Sequence, residues 1–250
     1  MNAREFLDMI KNEFGELGPE EGLRFKYFDD EIKGIKICWM VSKKVLSYYP
    51  EKFNLLISHE ELFFPPEYAG GKGEGIVSEF RKNILEKHRI NFLRLHYTLD
   101  KHFILDLFDK LTGGKLIIKE NFYRIYKFEN IKLKNLAEEI KKRYKIQFLK
   151  ITFPNKQIKR AGCLWGGLGL SINSKFIDKI LSYNVDAVIA GEVDEYTIRA
   201  LSDLKIGIIE LGHEISETPG LLKFTDYLKK KIPGIPVKYL KNTYPVKILK

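Results

Sequence analysis

Histidines and carboxylates recur at three places where a run of apolar residues ends, and together they can hold a divalent metal ion. The first is Gly212-His213-Glu214-Ile215-Ser216-Glu217. The apolar run at 206–211 reads as a strand, and Thr218 and Pro219 read as the N-cap and first residue of a helix. His213 and Glu217 are thereby expected on a tight turn at the carboxyl end of a strand, where α/β sheets bind ligands. The second is Leu55-Leu56-Ile57-Ser58-His59-Glu60-Glu61-Leu62-Phe63-Phe64, and the third is Phe92-Leu93-Arg94-Leu95-His96-Tyr97-Thr98-Leu99-Asp100. Imidazole nitrogen with carboxylate oxygen is a common donor set for Zn, Fe or Mn. One His-x-x-x-Glu arises by chance on helix surfaces. Three donor-bearing strand ends point to a shared polyvalent metal site, against the plainer reading of three solvated loops.

The elements that must position these residues alternate along the chain. Spacing predicts helices at 4–14, 43–49, 74–88, 102–111, 133–144, 174–182, 194–203 and 219–231. The helix at 74–88 places Ile76, Val77, Phe80, Ile84 and Leu85 on one face. Strands are expected at 35–41, 53–57, 91–95, 158–163, 186–190, 206–211 and 236–240, and extended segments at 115–128 and 146–153. Such alternation argues for α/β layers with a largely parallel or mixed sheet. Gly113-Gly114 closes the first block, giving subdomains at 1–114 and 115–250, with about 206–250 contributing to the metal site. No linker rich in Pro, Gly or Ser separates them, so the two are closely joined.

The turn expected at Gly162-Cys163-Leu164-Trp165-Gly166-Gly167-Leu168-Gly169 has neither P-loop nor dinucleotide-binding order. Glycines between a strand and a helix can bind phosphate, but more often allow close helix–strand packing.

At 250 residues the chain can bury a full core. No window approaches the ~20 apolar residues of a membrane helix. The first ten residues carry two acids and read as an amphipathic helix, not a signal peptide. Cys38 and Cys163 lie far apart, so a reducing cytosol is expected. The net charge of +10 admits nucleic acid or an anionic substrate. Mixed Lys/Glu faces also simply solvate helices.

Taken together, these segments resemble the Nif-three-like family, also labelled GTP cyclohydrolase I type 2 homologues. The resemblance rests on five pieces in the family's order: 59–64, 96–100, Lys159-Arg160-Ala161-Gly162-Cys163, Ala190-Gly191-Glu192-Val193 and 212–217. It implies two α/β subdomains with a dinuclear metal site in the cleft between them, and a homohexamer. By the same resemblance the ligands are His59, Asp100, His213 and Glu217. Glu60 stands where the family has a second His; it can still ligate through oxygen. His96 matches a histidine that lines the site. The family's Asp-Asn-x-Gly-Leu is here Pro19-Glu20-Glu21-Gly22-Leu23.

Two functions follow as expectations. In one, up to two Zn, Fe or Mn ions per chain serve a hydrolase acting on an unknown small molecule, with His96 or Glu192 moving protons. In the other, the metals only hold the subdomains together, and a basic surface contacts nucleic acid or a protein.

Overall fold

A computed structural model describes residues 1–24, 27–47, 52–66, 70–105 and 113–241. Its residues group into two compact units, Met1–Leu99 with Leu221–Lys250, and Asp100–Gly220. Parts of the helices expected at 43–49 and 102–111 lie outside the described residues.

The first unit opens with α1 (Ala3–Phe14), started by a reciprocal Asn2/Glu5 capping box and burying Ala3, Phe6 and Ile10. Then come β1 (Gly22–Leu23), β2 (Ile35–Cys38), α2 (Lys43–Ser47), β3 (Leu55–Ser58), α3 (Ile76–Lys87), β4 (Asn91–Arg94) and a short α4 (Tyr97–Leu99). The sheet order is β1-β4-β3-β2 and then the chain's last strand. β2, β3 and β4 run parallel, in register from Ile35 through Leu55 to Asn91. All four residues of each are buried, as expected for a sheet covered on both faces. β1 closes the edge antiparallel to β4.

The second unit begins with a π-helical turn, Asp100–Ile104, that continues from α4. It contains β5 (Lys115–Lys119), β6 (Tyr123–Lys132), α5 (Leu133–Tyr144), β7 (Lys150–Ile151), β8 (Gln157–Leu168), α6 (Leu170–Leu181), β9 (Ala187–Val193), α7 (Glu195–Asp203) and β10 (Gly207–Glu210). The sheet order is β5-β6-β8-β9-β10-β7. β8, β9 and β10 are parallel, and the outer strands are antiparallel. Its core gathers Ile125, Leu164, Ile180, Val188, Ala190 and Ile208. The helix α8 (His213–Lys231) starts in this unit and ends in the first. There β11 (Val237–Leu240) pairs parallel to β2. The fold is thus α/β with two mixed sheets. No described helix is long and apolar enough to cross a membrane.

Several local expectations are corrected. The units do not follow chain order: residues 100–114 group with the second, and the last thirty residues with the first, because β11 completes the first sheet. The glycine-rich segment is not a turn but the end of β8, carrying a bulge between Leu164 and Gly167. A Cβ on Gly162 would lie 2.2 Å from Ile180 Cγ2, so this glycine serves helix–strand packing. The helix expected from Pro219 starts six residues earlier, at His213. Gly212, at φ +103°, lets the chain leave the sheet at once. Its N–H still bonds Gly191 O at 2.7 Å, while its carbonyl already accepts the Ser216 N–H. Pro219 lies within the helix, and Thr218 Oγ1 donates back to Glu214 O.

The apolar face of α3 also departs from expectation. Ile76 is 90% exposed, Val77 and Phe80 are partly exposed, and Leu85 is buried. Hydrogen bonds set the rotation. Ser78 Oγ accepts from Phe64 N–H at 3.0 Å and donates to Phe64 O, and Arg81 donates to Leu62 O. The line through 78, 81 and 85 therefore faces inward.

Candidate metal centre

In the first unit, parallel pairing sets Ser58 beside Arg94, so the residues that follow β3 and β4 emerge at the same sheet end. His59, Glu60 and His96 meet there, with donor atoms within 4.8 Å of one another. His59 is fully buried, and its Nδ1 lies 3.3 Å from Leu95 O. A proton on Nδ1 leaves Nε2 as the donor face, the usual way a backbone carbonyl orients a ligating imidazole. The His59 and His96 rings stack at 4.5 Å, 15° from parallel. His96 Nε2 stands 3.8 Å from Glu60 Oε1.

Glu61 does different work from Glu60. One of its oxygens accepts from Arg94 Nη1 at 3.1 Å and the other from Leu62 N–H at 2.7 Å. Arg94, 1% exposed, also reaches Glu20 at 3.0 Å. Glu21 accepts from both Thr98 N–H and Thr98 Oγ1 at 2.8 Å, and from Gly18 N–H. These buried charge-assisted bonds fix the loop at 18–21 and the residues flanking His96.

In the second unit, His213 and Glu217 occupy the first turn of α8, four residues apart and so on one face. His213 Nε2 lies 3.4 Å from Glu217 Oε1, and Nδ1 lies 3.1 Å from Glu192 Oε2. The hydrogen bond from His213, followed by its charge, lowers the Glu192 pKa against partial desolvation. Asp100 and Glu217 also have donors within 4.8 Å of each other. Gly166, at φ +63°, stands against this pair. A Cβ there would lie 2.7 Å from Glu217 Oε1 and 2.8 Å from His213 Nε2.

The donors fit a metal ion. With the His213 proton on Nδ1 toward Glu192, Nε2 turns a lone pair toward the Glu217 carboxylate. Two lone-pair donors at that distance call for a cation between them or a proton on one of them. Glu217 is 2% exposed, and a buried carboxylate is stabilised by positive charge near it. Mixed nitrogen and oxygen donors suit Zn, Fe or Mn.

The structure therefore places His59, Glu60 and His96 together in one unit and Asp100, His213, Glu217 and Glu192 in the other. Sequence reasoning missed Gly166, whose only signal was a glycine cluster, and the Arg94–Glu61–Glu20 group, whose members are scattered along the chain.

Known proteins share this architecture. Curated relatives include the GTP cyclohydrolase 1 type 2 homologs of two Buchnera aphidicola strains. That of Buchnera aphidicola subsp. Schizaphis graminum is 27% identical over 214 residues, covering 80% of this chain and 79% of the relative. That of Buchnera aphidicola subsp. Baizongia pistaciae is 29% identical, covering 98% and 95%. Among solved structures, a Bacillus cereus protein related to NIF3 superposes with a TM-score of 0.81 at 12% identity, covering 100% of this chain and 99% of that one. Reduced HcgD from Methanocaldococcus jannaschii gives 0.76 at 21% identity, covering 97% and 98%. The family profile for Duf34/NIF3 (NGG1p interacting factor 3) matches residues 8–245, and the chain belongs to that family.

Proposed function

We propose that this protein is a metal-dependent hydrolase. His59, Glu60, Asp100, His213 and Glu217 hold up to two divalent ions per chain. The observation that carries the reading is the facing pair of His213 Nε2 and Glu217 Oε1, 3.4 Å apart, with Glu192 on the other ring nitrogen. Bound ions of this kind supply Lewis acidity and make water a stronger acid. The chain's own groups do the rest. Glu192 is held ionised by its bond to His213, and with 65% of its side chain exposed it can accept a proton from water or substrate. Gly166, having no Cβ, keeps a side chain out of the space beside Glu217 Oε1 and His213 Nε2.

The relatives' name, GTP cyclohydrolase 1 type 2 homolog, makes GTP the first substrate to test, by hydrolytic opening of its imidazole ring. The experiment is turnover of GTP and a panel of other nucleotides, esters and amides by metal-reconstituted protein. The expected result is metal-dependent hydrolysis that falls by about 10²-fold or more in Glu192→Gln. It should vanish in Glu217→Ala. Hydrolysis that persists unchanged in a metal-free Glu217→Ala variant would refute the mechanism.

A further inference from the structure

We propose that the second unit carries a site for a phosphorylated small molecule of nucleotide size, in the cavity between α5 and the bulged end of β6. The proposal goes beyond the metal-dependent reaction. The cavity measures about 840 Å³, within the range of small-ligand pockets. Gln157 lines it at the start of β8. Gly166, which stands against His213 and Glu217, lies nine residues further along the same strand, roughly 30 Å away. A ligand held at Gln157 therefore touches neither of those two donors.

The first supporting observation is a row of cations. Antiparallel pairing sets Lys115 directly opposite Lys127, and Lys127 directly opposite Arg160. Like charges facing one another across strands destabilise a sheet. A row kept despite that cost is suited to an anion. Arg160 is anchored to Tyr183 O at 3.1 Å. Lys115 and Lys127 are exposed at the cavity, as is Lys132, and among the described residues none of the three is ion-paired.

The second is the balance of charge. Two carboxylates, Glu129 and Glu139, also line the cavity, but Glu139 accepts from the Arg143 guanidinium four residues on. Three lysines then face one remaining carboxylate, Glu129. That excess suits the two negative charges of a phosphate monoester.

The third is the polar wall around the cations. Asn135 and Arg143, eight residues apart on α5, share one helix face at the cavity. Between Lys127 and Ile131, three residues of β6 stand against one of β8, and Asn130 takes φ +46°. Bulges of this kind re-aim side chains. The amides of Asn130, Asn135 and Gln157 thus line the cavity with donors and acceptors that can read sugar hydroxyls or the edge of a base. A bare inorganic anion has no use for such groups, whereas a nucleotide uses both the lysines and the amides.

The test is calorimetric titration of the full-length protein with ADP and with inorganic pyrophosphate. ADP should bind saturably and more tightly than pyrophosphate. Lys115→Ala/Lys127→Ala should weaken ADP by about tenfold or more, with Lys115→Gln/Lys127→Gln as the alternative if the alanine pair does not fold. Asn135→Ala should weaken ADP and leave pyrophosphate unchanged. Lys229→Ala/Lys230→Ala, in the last turn of α8, and Glu217→Ala should each bind ADP like the wild type. No saturable binding at about 10 mM ADP would overturn the proposal. So would equal losses in the two lysine pairs, which would mean bulk charge attraction only. Loss of ADP binding in Glu217→Ala would assign the ligand to the metal centre, and an oligothymidylate binding at least about tenfold more tightly than ADP would assign the groove to a nucleic-acid strand. Either result overturns the proposal, and each leaves the hydrolase reading to its own experiment.

Discussion

At the scale of single residues, neighbours in sequence have been given opposite tasks. Glu60 faces His96, whereas Glu61 neutralises the buried Arg94. Glu61→Gln should therefore lower stability by roughly 2–3 kcal/mol in urea unfolding of the metal-free protein, because a buried charged hydrogen bond is weakened. Glu60→Gln should lower metal-free stability less than Glu61→Gln does, because no buried arginine depends on its charge, and should reduce metal binding. Equal stability losses in the two variants would contradict this division. Gly166→Ala should weaken metal binding at least tenfold in a chelator competition, since its Cβ would enter the space of Glu217 and His213 and its backbone would be strained at φ +63°. That His59 follows one strand, and that His213 and Glu217 follow another, could be read from the apolar runs before them. The split between Glu60 and Glu61 was not, because it depends on Arg94, which only the pairing of β3 with β4 brings alongside.

At the scale of elements, most strand and helix spans followed from periodicity, and the errors share a cause. Gly212 and Pro219 both signal helix boundaries. The glycine's backbone freedom fixed the start of α8, and Pro219 was absorbed inside the helix. The face of α3 was misread because two hydrogen-bonding side chains, Ser78 and Arg81, outweighed its apolar periodicity. Strand β2 carries a further consequence. Lys36 is 3% exposed and sits over the Phe53 ring. Burial, with Lys238 adding repulsion, lowers its pKa to about 8 from 10.5. Below pH 8 both folded and unfolded chains hold the proton, and folding bears the full cost of burying the charge. Between pH 8 and 10.5 the unfolded chain binds more protons, so this lysine's contribution becomes more favourable as pH rises. Lys36→Met should raise the melting temperature at pH 7, and its advantage should shrink toward pH 10.5. An advantage that grows with pH would contradict the burial argument.

At the scale of the whole molecule, the α/β layers were foreseen from alternating elements and the two subdomains from the family resemblance, but the return of the chain to the first unit was not. A closing strand such as β11 carries no mark of which sheet it joins. We propose that the protein assembles as a homohexamer in which the exposed apolar face of α3 is covered. Ile76 is 90% exposed there, and Phe64, which hydrogen-bonds the same helix, is 62% exposed. Light scattering should give a mass near six times 29.2 kDa. Ile76→Lys/Phe80→Lys should lower that mass, and a monomer in the wild type would contradict the proposal.

The central claim is that His59, Glu60, Asp100, His213 and Glu217 bind divalent metal. Its most direct test is elemental analysis of reconstituted wild type beside His213→Ala/Glu217→Ala, with circular dichroism confirming that both are folded. The account predicts up to two equivalents of Zn, Fe or Mn per wild-type chain and at least one fewer in the double variant. Less than about a tenth of an equivalent in the wild type, or equal loading of the two proteins, would contradict it.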